Sequence, residues 1–159
     1  MSIALETEKA QRAAELFEEG YNCAQSVFGA FVPETGMDWE TAMLLTSSMG
    51  GGVGRMREIC GAVSGMALAA GLLWGYTSPQ AKEEKKAHYA LVQKLCGEFS
   101  RENGSLICRD LLEDVETVPG GVPEERTAEY YKKRPCKELV ASAAAILERE
   151  LKERGVSRK

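Results

Sequence analysis

Ile59-Cys60-Gly61-Ala62-Val63-Ser64-Gly65-Met66-Ala67-Leu68-Ala69-Ala70-Gly71-Leu72-Leu73-Trp74 is the one long apolar run of this chain, and its reading decides the fold class. A bilayer span needs about 20 such residues, and this run falls short of that and is punctuated by Gly61, Gly65 and Gly71. It reads as a core helix contacted on every side, with Gly61 and Gly65 letting a neighbouring helix approach closely. Just before it stands Gly50-Gly51-Gly52-Val53-Gly54-Arg55, which breaks any helix and reads as a tight turn. Consecutive glycines can also form an anion nest, but a P-loop ending in Gly-Lys-Ser/Thr and a preceding strand are both lacking.

Working outward, helical periodicity recurs on both sides. Between Glu6 and Glu19 the apolar positions Ala10, Ala13, Ala14 and Phe17 form one stripe, stopped by Gly20. Asn22 is placed to cap a short second helix with Ala24, Val27, Phe28 and Phe31, closed by Pro33. Asp38 can cap a third from Trp39 to about Met49, with Ala42, Leu45 and Met49 facing inward. Beyond the central run, Ser78 and Pro79 suit the start of a long helix to about Glu102, whose apolar face reads His88, Leu91, Val92, Leu95 and Phe99. Ser105 can cap a short helix holding Leu106 to Leu112. A mobile loop, Val118 to Pro123, follows; then comes a polar helical segment, Glu124 to Lys133, and a last helix opened by Pro135 with Val140, Ala143, Leu147 and Leu151 on one side. No segment alternates with period two, so the expected fold is all-α: a single-domain bundle of about six or seven helices over residues 1–159, built around the Gly/Ala-rich apolar helix.

The net charge of −4 and the scattered Lys and Arg residues exclude a nucleic-acid partner as an expectation. Glu6, Glu8 and Lys9 interrupt any secretory-signal pattern, which points to the cytoplasm. Thiols there are kept reduced, so five cysteines suggest redox, catalytic or metal chemistry more than a disulfide framework.

Four of the five, Cys23, Cys60, Cys108 and Cys136, fall in the first turns of expected helices. Unpaired N–H groups and the helix dipole there favour thiolate over thiol, and Arg55, Arg57, Arg109 and Arg134 lie close by in sequence. Cys96 sits deep in the long helix and reads as a small buried hydrophobe, and His88 as a hydrogen-bonded core residue. There is no C-x-x-C pair, so a common site has to be assembled by the tertiary fold from four separate helices. Converging thiolates could cycle disulfides as in a thiol-dependent oxidoreductase, or hold a soft metal ion or an iron–sulfur cluster. A third reading is a helical interaction module with structural cysteines.

These residues carry a resemblance. The chain resembles a family of redox-active proteins named for a C, CGAxxG, C, C pattern and written C_GCAxxG_C_C. The match runs from Gly20-Tyr21-Asn22-Cys23-Ala24-Gln25 through Gly50 to Arg55 and Cys60-Gly61-Ala62-Val63-Ser64-Gly65 to Gly104-Ser105-Leu106-Ile107-Cys108-Arg109 and Pro135-Cys136. It implies that Cys23, Cys60, Cys108 and Cys136 are the characteristic four and that Cys96 is incidental. It also implies a small soluble bacterial or archaeal protein with an unidentified redox partner, encoded near transporter genes. A homo-oligomer packed through Gly61 and Gly65 is compatible with either reading.

Overall fold

A computed structural model describes residues 7–156. Glu6, the expected first residue of helix one, lies outside them. The helices are α1 (Glu8–Glu18), α2 (Cys23–Ala30), α3 (Val32–Thr35), α4 (Trp39–Thr46), α5 (Gly61–Trp74), α6 (Lys82–Asn103), α7 (Cys108–Leu111), α8 (Ala128–Lys133) and α9 (Cys136–Arg154), with a 3-10 turn at Ser47–Met49. Among the described residues there is no strand, and one isolated antiparallel bridge joins Ile59 to Ile107. No described helix is long and apolar enough to cross a membrane.

Local chemistry sets several of these boundaries as expected. Asn22 accepts from the Gln25 N–H while the Gln25 side chain accepts from the Asn22 N–H, a reciprocal cap that starts α2. Asp38 caps α4 through the Thr41 N–H, and left-handed Gly104 ends α6. Other boundaries differ. Pro33 does not end the second helix but sits inside the first turn of α3, where its missing N–H costs nothing. Ser78 folds back onto Gln80 instead of capping, and α6 begins at Lys82. Ser105 accepts from the Ile107 N–H and donates to Asp110, leaving Ile107 to start α7. In α4 the inward residues are Ala42 and Thr46, and Leu45 is exposed, because the chain turns away at Ser47 before a full apolar stripe forms.

The core gathers Phe17, Phe28, Phe31, Met66, Leu95 and Phe99 with Val140 and Leu147, all fully buried. Along α5 no residue is exposed, as its sequence implies. It packs on α2, α6 and α9. Helix α9 shares the centre: it lies against α1, α2, α5 and α6, and Leu139 to Leu147 is buried on almost every side. Its two inward carboxylates are satisfied, Glu148 accepting from the Lys9 N–H and Glu150 pairing with Lys94 and Arg154.

Gly61 and Gly65 do what their spacing predicts, and the partner is α2. A Cβ on Gly65 would stand 2.6 Å from the Ala24 carbonyl oxygen, and one on Gly61 3.0 Å from Cys23 Cβ. Close helix approach and cysteine placement are therefore one feature.

Candidate functional site

All four expected cysteines sit at helix starts. Cys23, Cys108 and Cys136 are the first residues of α2, α7 and α9, and Cys60 is the N-cap of α5. They line one partly open cavity. Cys60, Cys108 and Cys136 are buried, Cys23 half-buried, and all five cysteines of the chain are free thiols. Cys96 is half-buried in α6 and does not line this cavity.

The loop after α4 delivers Cys60 and Cys108 together. Gly51, Gly52, Val53, Gly54 and Arg55 are five consecutive residues with left-handed φ between 56° and 72°. This coil reverses the chain so that residues 57–60 run antiparallel to 106–109. Cys60 N–H donates to the Leu106 carbonyl, Cys108 N–H to Glu58 and Arg109 N–H to Arg57. With Ile59 opposite Ile107, Cys60 and Cys108 lie diagonally on the other face of the bridge. Gly52 fits tightly beneath: a Cβ there would meet Cys108 Cβ and the Glu58 nitrogen, both at 2.7 Å. The left-handed twist suits glycine but strains branched Val53, by about 1–2 kcal/mol. The motif is thus a tight turn that aims cysteines.

Electrostatically the four thiols are not alike. Burial pushes Cys60 up to about 12, only partly offset by the Ala62 and Val63 N–H groups of the helix end. Burial also raises Cys108, although Arg57 Nη1 stands 3.9 Å from its sulfur. Cys23 is raised well above the ordinary thiol value, chiefly by its interaction with the Cys136 sulfur, then by burial. Cys136 alone is lowered: Cys23 keeps the proton, and Arg134, Arg126 and Arg57 face the charge against the cost of burial. The expectation that a helix start makes each cysteine a ready thiolate is therefore corrected for three of them: desolvation outweighs the dipole at Cys60 and Cys108, and the Cys136 sulfur holds the proton on Cys23.

Of the four expected arginines, two turn inward. Arg57 reaches Cys108, and buried Arg134 pairs with Glu124 and stacks on the Tyr130 ring, 4.8 Å from its centre. Arg109 turns out to Glu58 at 2.7 Å. Arg55 gathers the Val118, Gly120 and Val122 carbonyls, tethering the loop expected to be mobile. Two lining residues escape sequence reading, Arg126 and Tyr130. Arg126 donates to the Phe17 and Tyr21 carbonyls and lies 4.4 Å over the Phe17 ring. Both belong to a polar stretch without a motif, where only an arginine flanked by later tyrosines marks them. His88 is remote, between Tyr76 and Arg154, and its Nδ1 is buried without a hydrogen-bond partner among the described residues, against the expectation of a satisfied imidazole.

Four cysteines from four helices meeting at one cavity, two of them brought there by a glycine coil and a third by a Gly-x-x-x-Gly contact, is the arrangement that the spaced pattern encodes. A family model described as "Putative redox-active protein (C_GCAxxG_C_C)" matches residues 21–150. The chain belongs to this family. No curated protein and no solved structure matches it. The C_GCAxxG_C_C pattern is thus physically accounted for here: its cysteines line the cavity, and its glycines Gly61 and Gly65 admit α2. A four-thiolate metal or iron–sulfur centre would need its ligands within bonding reach of one ion. Among the described residues no three Cys, His, Asp or Glu side chains are so disposed.

Proposed function

We propose that this protein is a dithiol redox protein in which Cys136 is the attacking thiolate and Cys23 the resolving thiol. The observation that carries the reading is the placement of that pair: two thiols in direct interaction in a cavity lined by Arg57, Arg126 and Arg134, whose charges favour the Cys136 thiolate while Cys23 holds the proton. Thiolate is the reactive form, and a partner thiol in contact is what resolves a mixed disulfide.

In the first step the Cys136 sulfur attacks one sulfur of a substrate disulfide. That S–S bond breaks, its electron pair leaves with the second substrate sulfur, and the departing thiolate takes a proton. In the second step Cys23, its proton passed on, attacks the Cys136 sulfur, forming the Cys23–Cys136 disulfide and releasing the other substrate thiol. Two electrons pass from protein to substrate, and a cellular dithiol returns them by the reverse exchange. Cys60 and Cys108 are the slower pair. Diagonal positions across an antiparallel bridge have Cβ atoms up to about 7–8 Å apart, whereas a disulfide requires about 3.5–4.5 Å. Both also stay protonated, which suits a second pair that receives the oxidation after a shift of the bridge.

The test is stoichiometric oxidation of the reduced protein followed by mass mapping, in wild type and in Cys23→Ser, Cys60→Ser, Cys108→Ser and Cys136→Ser, with elemental analysis on anaerobically purified protein. A Cys23–Cys136 disulfide forming first, and a metal-free protein, are expected. Metal at a fixed ratio, lost in each variant, would replace this reading by the metal-centre one. Oxidation that spares Cys136 would overturn it too.

A further inference from the structure

The cysteine cavity adjoins a second, wider recess, and the two share Asn22, Gly51, Arg57, Arg126, Tyr130 and Arg134. Arg55 also lines the recess, so four guanidinium groups face it, against one carboxylate, Glu124, which is engaged by Arg134. The hydrogen bonds of Arg55 go to backbone carbonyls, those of Arg126 to carbonyls and the Tyr131 hydroxyl, and that of Arg57 to the Cys108 sulfur. Among the described residues no salt bridge joins any of these three to a carboxylate. A chain of net charge −4 therefore concentrates about three uncompensated positive charges at the entrance to its thiols.

Size adds a second constraint. Cys136 is only 7% exposed, and Cys60 and Cys108 are similarly closed at 3% and 8%. A disulfide on the surface of a folded protein cannot bring its sulfur to such a sulfur, whereas a small molecule can pass through the recess. Planar guanidinium forks match carboxylate and sulfonate oxygens and hold them through charge-assisted hydrogen bonds.

We infer that the substrate is a small anionic disulfide, with a carboxylate or sulfonate group close to its S–S bond, drawn through the arginine recess to the Cys23–Cys136 pair. This rests on the dithiol reading above and adds the substrate class. The anionic group docks on Arg57 and Arg126, and the S–S bond enters the cysteine cavity. Attack by Cys136 and resolution by Cys23 then release two small thiols and leave the protein disulfide.

The experiment uses the reduced full chain and three small disulfides of differing charge: dithiodiglycolate (anionic), bis(2-hydroxyethyl) disulfide (neutral) and cystamine (cationic). Formation of the Cys23–Cys136 disulfide is followed at constant ionic strength, each rate divided by that for a simple thiol with the same probe. The anionic probe is expected to react about tenfold or more faster than the neutral one, with the cationic probe slowest. That order should shrink in Arg57→Gln and in Arg126→Gln, whose folding is checked by thermal unfolding. Should either variant misfold, the wild-type charge series still decides. Tetrathionate, run beside them, distinguishes the sources: preference for it assigns an inorganic sulfonate-type substrate, and preference for dithiodiglycolate an organic carboxylate. Equal normalised rates for all three charges would overturn the inference and leave the dithiol reading standing. If no probe oxidises the Cys23–Cys136 pair, the dithiol reading itself falls.

Discussion

Cys136 and Cys60 both stand at the starts of the two central helices, one as first residue and the other as N-cap, yet their protons behave oppositely. The difference comes from neighbours: Cys136 has Cys23 and three guanidinium groups, while Cys60 has mainly apolar walls and two helix N–H donors. Iodoacetamide should therefore modify Cys136 first, with a pH profile centred below the ordinary thiol value. In Cys23→Ser that profile should move to higher pH through loss of the pair's proton sharing, and the rate at neutral pH should fall; an unmoved profile would show that the arginines act alone. Cys60 adds a dependence of stability on pH. Its thiol ordinarily titrates near 9 and when folded holds its proton to about 12, so above pH 9 the unfolded chain binds fewer protons. Stability is fully present below pH 9 and falls as the pH rises toward 12, by at most about 4 kcal/mol. Melting temperatures between pH 7 and 11 should drop along this curve and flatten in Cys60→Ala. At this scale the four cysteines and their helix starts were legible in the sequence. Their unequal protonation was not, since desolvation and the approach of Arg126 depend on how distant segments pack.

The glycines of α5 separate packing from propensity within one helix. Gly65 faces the Ala24 carbonyl, so Gly65→Ala should cost about 1–3 kcal/mol by overpacking, whereas Gly71 has nothing within 4 Å of a built Cβ. Gly71→Ala should instead stabilise by about 0.5–1 kcal/mol through helix propensity. Urea midpoints of the two variants, moving in opposite directions, would check both values. In the loop before α5, Val53→Gly should stabilise by about 0.5–1 kcal/mol, because relief of left-handed strain exceeds the added glycine entropy. A lower urea midpoint would mean that the Val53 side chain contributes more by contact than its backbone loses. Caps written as short polar side chains, Asn22 and Asp38, were readable, as was the close-approach role of Gly61 and Gly65. The start of α6 and the outward turn of Leu45 were not, because a proline signal and an apolar stripe say nothing about where the neighbouring chain leaves room.

Across the whole molecule the sequence indicates a bundle around one apolar helix, and α5 fits. Helix α9 was harder to see as a second centre, since its sequence shows one apolar side, whereas Glu148 and Glu150 are buried too, against Lys9, Lys94 and Arg154. Oxidation of the proposed pair should tie α2 to α9 across 113 residues of chain. Constraint of the unfolded state by so long a loop is worth up to about 4–5 kcal/mol, less any native strain. The oxidised protein should therefore melt higher than the reduced one, and Cys136→Ser should show no such difference. The position of α9 bears also on how the protein is made. It follows every helix it packs against, so during synthesis Cys23 leaves the ribosome long before Cys136 exists to share its proton. Until then the nascent chain carries scattered thiols of ordinary reactivity and an open apolar core. The Cys23–Cys136 contact and a closed fold are reached together, when α9 docks.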